Sequence, residues 1–311
     1  MPELLIEPSP HIKSPMTTQK IMLNVLIALL PSVIAGTVIF GIRALVLVVL
    51  CATFCVIFEY LFNIITKREQ TVYDLSAVVT GVLLGMNLPP ALPVYMAAIG
   101  CFAAIVVVKQ FFGGIGQNFA NPAITARIIL MLSFGKYMTA WTKPFPFGMS
   151  AADAVSSATP LASPETMPSY LDLFLGNRAG CIGEVCIAAL LAGGLYLIAR
   201  GIIDPVTPAA FIGAVAVCSL IGGYDIPMQL MSGGLVLGAF FMATDYATTP
   251  ITRPGKLIFG VGCGLITCGI RFFGVYPEGV SFSILIMNIL TPLIDRYVRP
   301  RPFGVKKEAA N

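Results

Sequence analysis

Charge is what this sequence has least of. Of its 311 residues, 11% are Asp, Glu, Lys or Arg, against about 25% in a soluble globular domain. That scarcity excludes an ordinary soluble domain. Histidine is nearly absent too. The one His, His11, cannot build a histidine metal site or clasp a haem from both faces. Eight cysteines are present: Cys51, Cys55, Cys101, Cys181, Cys186, Cys218, Cys263 and Cys268. None forms a Cys-x-x-Cys pair, since the close pairs have three or four residues between them. Zinc and iron–sulfur sites favour tighter pairs. Most of these cysteines lie inside apolar runs and are expected to act as small, polarizable packing residues. A cleavable leader is not expected either, because the first 18 residues are polar, hold four prolines and open on no apolar run.

What fills the chain instead is hydrophobic. The composition is 57% hydrophobic and the mean hydropathy is +0.88. An integral membrane protein is the reading, with about ten spans at roughly 20 residues each. Apolar runs fall at about 19–41, 43–65, 74–88, 92–111 and 121–135, and then at about 180–199, 205–222, 227–243, 256–273 and 280–297. The third, fifth and eighth are short. A polar interval, 136–179, separates the two blocks of five.

The blocks resemble each other. Leu26–Leu30 and Ile187–Leu191 lie 161 residues apart, and so do Phe111-Phe112-Gly113 and Phe272-Phe273-Gly274. The short third and eighth runs both carry Leu-Gly, at Leu84-Gly85 and Leu237-Gly238. A five-span unit repeated once sets its second copy upside down, and such inverted repeats put binding sites between the halves. The expected fold is therefore an all-α integral membrane protein of about ten transmembrane helices, two inverted five-helix repeats with some helices short or broken. The expected segments are an N-terminal segment 1–18, a first repeat 19–135, an extracytoplasmic loop 136–179, a second repeat 180–297 and a basic tail 298–311.

Charge sets the orientation. With the N-terminus in the cytoplasm, thirteen of the nineteen Lys and Arg residues fall on the cytoplasmic side and five outside, with Arg127 inside the fifth run. Positive residues favour the inner side. Both termini are then cytoplasmic, in a bacterial inner membrane, and the 136–179 interval is outside.

Four groups of residues can carry chemistry. Asp153, Ser156, Ser157, Ala158 and Thr159 form a small polar stretch followed by Pro160. It reads either as a plain Ser/Ala-rich loop or as a segment that an enzyme can thread and modify at a hydroxyl. Asn118 and Asn121 lie three apart at the start of the fifth run. An amide offers a donor and an acceptor together, suited to the edge of a heterocyclic ring, but Asn before a helix also serves as a cap. Asp245, in Thr244–Pro250, can cap a helix or hold a network of hydroxyls. Glu59 and Arg127 lie inside apolar runs, where charge is costly and marks functional candidates. Asp74 and Asp225, at the ends of runs, are expected to be caps.

The stretch Asp153–Thr159 resembles the flavinylation motif Asp-x-x-(Ser/Thr)-Gly-Ala-Thr, with Ser157 in the glycine position. More broadly, Ser9-Pro10-His11, Gly116–Ala123, Ser156–Leu161 and Met242–Pro250 occur in family order and resemble the D subunits of Rnf complexes, the ion-pumping ferredoxin:NAD oxidoreductases, and their relatives, the B subunits of the sodium-pumping NADH:quinone oxidoreductases. The short N-terminal segment favours the former.

The resemblance implies that Thr159 displaces AMP from FAD and carries FMN through a phosphoester, with Asp153, Ser156, Ser157 and Ala158 forming the recognition motif. It implies that Asn118 and Asn121 contact a riboflavin near the cytoplasmic face, with Asp245 close by. Electrons then cross the membrane between the two flavins, coupled to movement of Na⁺ or H⁺. The subunit holds no catalytic residue of its own and is not an enzyme alone. Its implied partners are an outer flavin-carrying subunit, an NADH-site subunit, membrane cluster subunits, a flavin transferase and the lipid membrane, with no nucleic acid. The alternative is a secondary transporter on the same inverted-repeat fold with no redox role.

Overall fold

The computed structural model describes residues 16–144, 169–274 and 279–298. Every regular element among these residues is helical. Helix α1, Thr18–Phe40, starts at Thr17, whose hydroxyl accepts from Lys20 N at 3.3 Å. Gly41, at φ 77°, turns the chain directly into α2, Ile42–Ile65. After a 3₁₀ turn at Val72–Asp74 come α3, Ser76–Met86, and α4, Val94–Phe102, which continues as a π-helix over Ala103–Gln110. Helix α5, Pro122–Ser133, follows its N-cap Asn121, with Pro122 where a missing N–H costs nothing. Two short helices come next, α6, Gly135–Met138, and α7, Tyr170–Leu175.

The second block holds α8, Ile187–Ala199, and α9, Val206–Gly222. It continues with α10, Ile226–Met231, then α11, Leu235–Leu237, which runs into a π-helix over Gly238–Met242. It ends with α12, Arg253–Phe273, and α13, Val280–Tyr297. Asp225 caps α10 by accepting from Met228 N at 3.3 Å, as expected. Asp74 was expected to cap too, but the N-cap of α3 is Leu75, and Asp74, one residue earlier, accepts from Ser76 N at 2.7 Å.

Among the described residues, α1, α2, α12 and α13 are long and apolar enough to cross a membrane. Helices α3, α5, α8, α9 and α4 with its continuation are apolar but shorter. The outer faces of the long helices are apolar as well: Ile34, Val38, Val49 and Leu61 are all exposed. Water would not tolerate so large an apolar surface, whereas lipid does. The chain is a multi-pass membrane protein.

Two runs depart from the expected continuous helix. The sixth was expected from about 180, but α8 begins only at Ile187. The glycine-rich residues before it are buried in irregular backbone, which the fold satisfies from elsewhere. Ile182 N donates to Leu88 O, Gly183 N to Met86 O, and Ser32 Oγ to Gly183 O. Such backbone is tolerable at membrane depth only against protein or a water-filled cavity. The eighth run is split at Ser232–Gly234, where Gly233 and Gly234 take φ 66° and 68°, a conformation that glycine adopts without strain. Six of the eight cysteines are buried and all are free thiols, in keeping with packing roles.

The two blocks interlock. Helix α1 packs on α8, α5 on α13, α2 on α3, and α9 on α12.

Candidate functional site

A cavity of about 100 Å³ opens where the two blocks meet. Its walls come from the first turns of α1, one face of α3, the start of α5, the end of α8 and the π-helix Gly238–Met242 with the turn after it. Most of the wall is apolar, including Met22, Leu83, Phe240 and Phe241. The polar edge holds Ser76, Thr80, Lys109, Asn118, Asn121, Thr244 and Asp245. Three residues singled out from the sequence, Asn118, Asn121 and Asp245, thus share one cavity. Asp153, Ser156, Ser157, Ala158 and Thr159 lie outside the described residues.

Each of the three is fixed by its own partners. Asn121 Oδ1 accepts from Ala123 N (3.0 Å) and Ile124 N (3.3 Å), capping α5. Its Nδ2 donates to Met242 O at 3.4 Å, reaching across to the second block. With its amide oriented by its neighbours, Asn288 accepts from Asn121 N (3.0 Å) and donates to Thr248 O (3.2 Å). The two readings of Asn121, cap and cavity residue, therefore hold together: the cap pins the side chain at the wall. Asn118 Nδ2 donates to Ala120 O at 3.0 Å. Asp245 Oδ2 accepts from Thr248 Oγ1 at 3.1 Å, the expected hydroxyl contact. Asp245 is only half-buried as a residue, but its carboxyl lies inside. Burial pushes that carboxyl above the usual range, against the downward pull of the Thr248 hydroxyl and the Ala247 N–H. Tyr246 closes one side by donating to Ile202 O.

By sequence, Glu59 and Lys109 are each a charge within an apolar run. In the fold, Lys109 and Glu59 are 3% and 0% exposed, and Lys109 Nζ donates to Glu59 Oε2 at 2.8 Å. Lys109 also donates to Ser76 Oγ at 2.6 Å, and Thr71 Oγ1 donates to Glu59 Oε1 at 2.6 Å. The signal available beforehand was a charge at each of two positions in apolar runs. Their pairing spans fifty residues and follows only from how α2 meets the π-helix. Arg127 does not face this cavity. Its guanidinium donates to Asn87 Oδ1 at 2.6 Å and reaches Cys181 Sγ at 3.6 Å.

Fold and cavity together define a multi-pass helical membrane protein with a largely apolar, polar-edged cavity between two interlocked blocks. Comparison narrows it. Residues 5–304 match the family described as NQR2, RnfD, RnfE, and the chain belongs to that family. It is 48% identical over 316 residues to the D subunit of the Na⁺-translocating ferredoxin:NAD⁺ oxidoreductase complex of Acetobacterium woodii, covering 98% of both chains. It is 42% identical over 322 residues to the D subunit of the proton-translocating ferredoxin:NAD⁺ oxidoreductase complex of Clostridium ljungdahlii, covering 97% of this chain and 96% of that one. It is 36% identical over 327 residues to the D subunit of the ion-translocating oxidoreductase complex of Stutzerimonas stutzeri, covering 93% and 92%.

Proposed function

We propose that this chain is the D-type membrane subunit of an ion-translocating ferredoxin:NAD⁺ oxidoreductase complex of a bacterial cytoplasmic membrane. In this reading it carries a covalent FMN at Thr159 outside and a riboflavin in the cavity of Asn118, Asn121 and Asp245 inside. The observation that carries the reading is the convergence of these three separately chosen residues on one cavity in a chain of this family. The residues present suit a flavin. Apolar side chains on the wall match the faces of a flat ring system, and amide, hydroxyl and ammonium groups at the rim match its polar edge. Flavins at the two positions supply one- and two-electron chemistry. The protein's own part is to bind and orient the inner ring, to keep bulk water from it and to present the Thr159 hydroxyl to a flavin transferase. Ion movement, of Na⁺ or H⁺, is coupled to electron transfer with the other Rnf subunits as partners.

The repeat, apart from its inversion, has support beyond the sequence matches, one pair falling a residue off their spacing of 161. Lys109 and Arg271 lie 162 positions apart, each near the end of the fourth helical run of its block. Lys109 donates to Ser76, and Arg271 donates to Gln229 O at 2.7 Å. Ser76 and Gln229 lie 153 positions apart, the same offset as the two Leu-Gly pairs of the third and eighth runs.

The test is direct. Purified protein run on a denaturing gel shows a fluorescent flavin band, and Thr159→Ala removes it. A Thr159→Ala band that still fluoresces would overturn the attachment site. An absorption spectrum with no flavin bands, together with solute uptake by the chain alone in liposomes, would instead support the secondary transporter.

A further inference from the structure

We propose that Lys109 sets the reduction potential of the flavin in the inner cavity, and that Glu59 controls how much of the lysine's charge the cavity feels. This deepens the reading above and rests on it. Among the described residues lining the cavity, Lys109 is the one cation and Asp245 the one acid. Electron uptake by a flavin builds negative charge on the ring. A fixed cation beside it favours the reduced form, and charge near the ring is a lever by which proteins tune such cofactors. The effect is strong where water is excluded.

A buried ammonium is costly unless paired, and this one is paired. Glu59 holds it at 2.8 Å, and Ser76 accepts a second N–H at 2.6 Å. Ser76 in turn donates to Asp74 Oδ1, and Thr71 fixes the far oxygen of Glu59. The ammonium is thereby pinned at the wall with its charge partly cancelled. A tie that merely joined α2 to the π-helix would serve as well facing lipid or packed core. Here the lysine lines a cavity otherwise furnished with uncharged donors and one acid.

Partial cancellation gives a sign test. Removing the cation lowers the potential of the inner flavin. Removing the anion leaves the cation uncompensated and raises it. A purely structural role moves both variants alike or neither. The experiment uses the full chain in a Thr159→Ala background, so that the inner flavin is the one left to titrate. Flavin is first extracted and counted, and then reduced stepwise with dithionite beside a reference dye. The expected result is an unchanged flavin count, a downward shift for Lys109→Gln, an upward shift for Glu59→Gln and a near-parental value for Lys109→Arg. Flavin-bearing Lys109→Gln and Glu59→Gln variants that titrate at the parental potential overturn the proposal. If Lys109→Gln fails to hold flavin, Glu59→Gln decides alone: an upward shift supports the proposal, and no shift or a downward one overturns it. If the Thr159→Ala parent itself holds no flavin, the inner-site reading fails and the role of Lys109 falls with it, an outcome distinct from flavin-bearing variants that do not shift.

Discussion

Asp204 shows how little charge this chain spends and where. It lies in the turn between α8 and α9, where Oδ1 accepts from Val206 N at 3.2 Å. Its Oδ2 lies 3.3 Å from Lys256 Nζ and 3.8 Å from Arg253 Nε, both at the start of α12. Burial pushes the carboxyl up, but the Val206 N–H, Lys256 and Arg253 together outweigh it and hold it below the usual range. A depressed carboxylate contributes stability that is fully present above its unfolded value, near 3.9. That contribution is lost as pH falls through the lower folded value. Asp204→Asn is therefore expected to lower the melting temperature in detergent at neutral pH. The gap to the parent closes as the pH drops below about 4. Arg253 is largely exposed and such pairs are worth about 1 kcal/mol or less, so the shift is small. Asp245 has the opposite sign. Its raised carboxyl makes ionisation a cost that appears as pH rises, which suits a group facing a largely apolar cavity.

At the scale of elements, two glycine pairs bring helices to backbone contact. A Cβ at Gly81 of α3 would lie 2.5 Å from Ala52 Cα, and one at Gly85 would lie 2.9 Å from Val48 Cα. On α12, a Cβ at Gly260 would lie 2.8 Å from Thr207 O, and one at Gly264 would lie 3.0 Å from Phe211 O. Spacing of four puts each pair on one face, the small-residue pattern that lets membrane helices close on each other. Gly81→Ala and Gly260→Ala are each expected to cost about 1–3 kcal/mol, as overpacking does. Gly269→Ala, where a Cβ meets nothing within 4 Å, is expected to be neutral in the same thermal assay. A Gly81→Ala protein as stable as Gly269→Ala would contradict the close contact. The long helices were legible in sequence because lipid demands uniform apolarity over a fixed length, and α1, α2 and α13 start and stop within a residue or so of the expected runs. The late start of α8 and the break before α11 were not legible. The first rests on Ile182 and Gly183 pairing with Leu88 and Met86, about 95 residues earlier. The second turns on two glycines that an apolar helix also tolerates. In the site, Asn118, Asn121 and Asp245 were legible because amide spacing and a polar turn stand out against apolar sequence. Lys109 and Glu59 as partners were not, since each looks like an isolated charge.

Across the whole molecule, the proposed electron transfer through the membrane requires the two proposed flavin positions to face opposite sides. The cavity lies against the first turns of α1, at Ile21, Met22 and Val25, and at the far end of α8, which runs back to the same side. Helix α5 leaves the cavity at Asn121 and ends at Ser133, about 18 Å further on at 1.5 Å per residue. The polar interval that holds Thr159 follows from that far end. In the proposed orientation, which rests on the asymmetry of Lys and Arg, the cavity side is cytoplasmic. An alkaline phosphatase insertion after Lys143 is therefore expected to be active, since that enzyme folds only outside. A fluorescent protein fused after Asn311 is expected to glow, since it folds inside. Reporters that place both positions on the same side, or the pattern reversed, would sink the orientation. The first outcome would also remove the reason for two flavins in one chain, because electrons would then have no membrane to cross between them. A phosphatase insertion at Gly114, beside the cavity, sharpens the test. It is expected to be silent, and activity there would put the inner site outside even if the fusion at Asn311 behaved as expected.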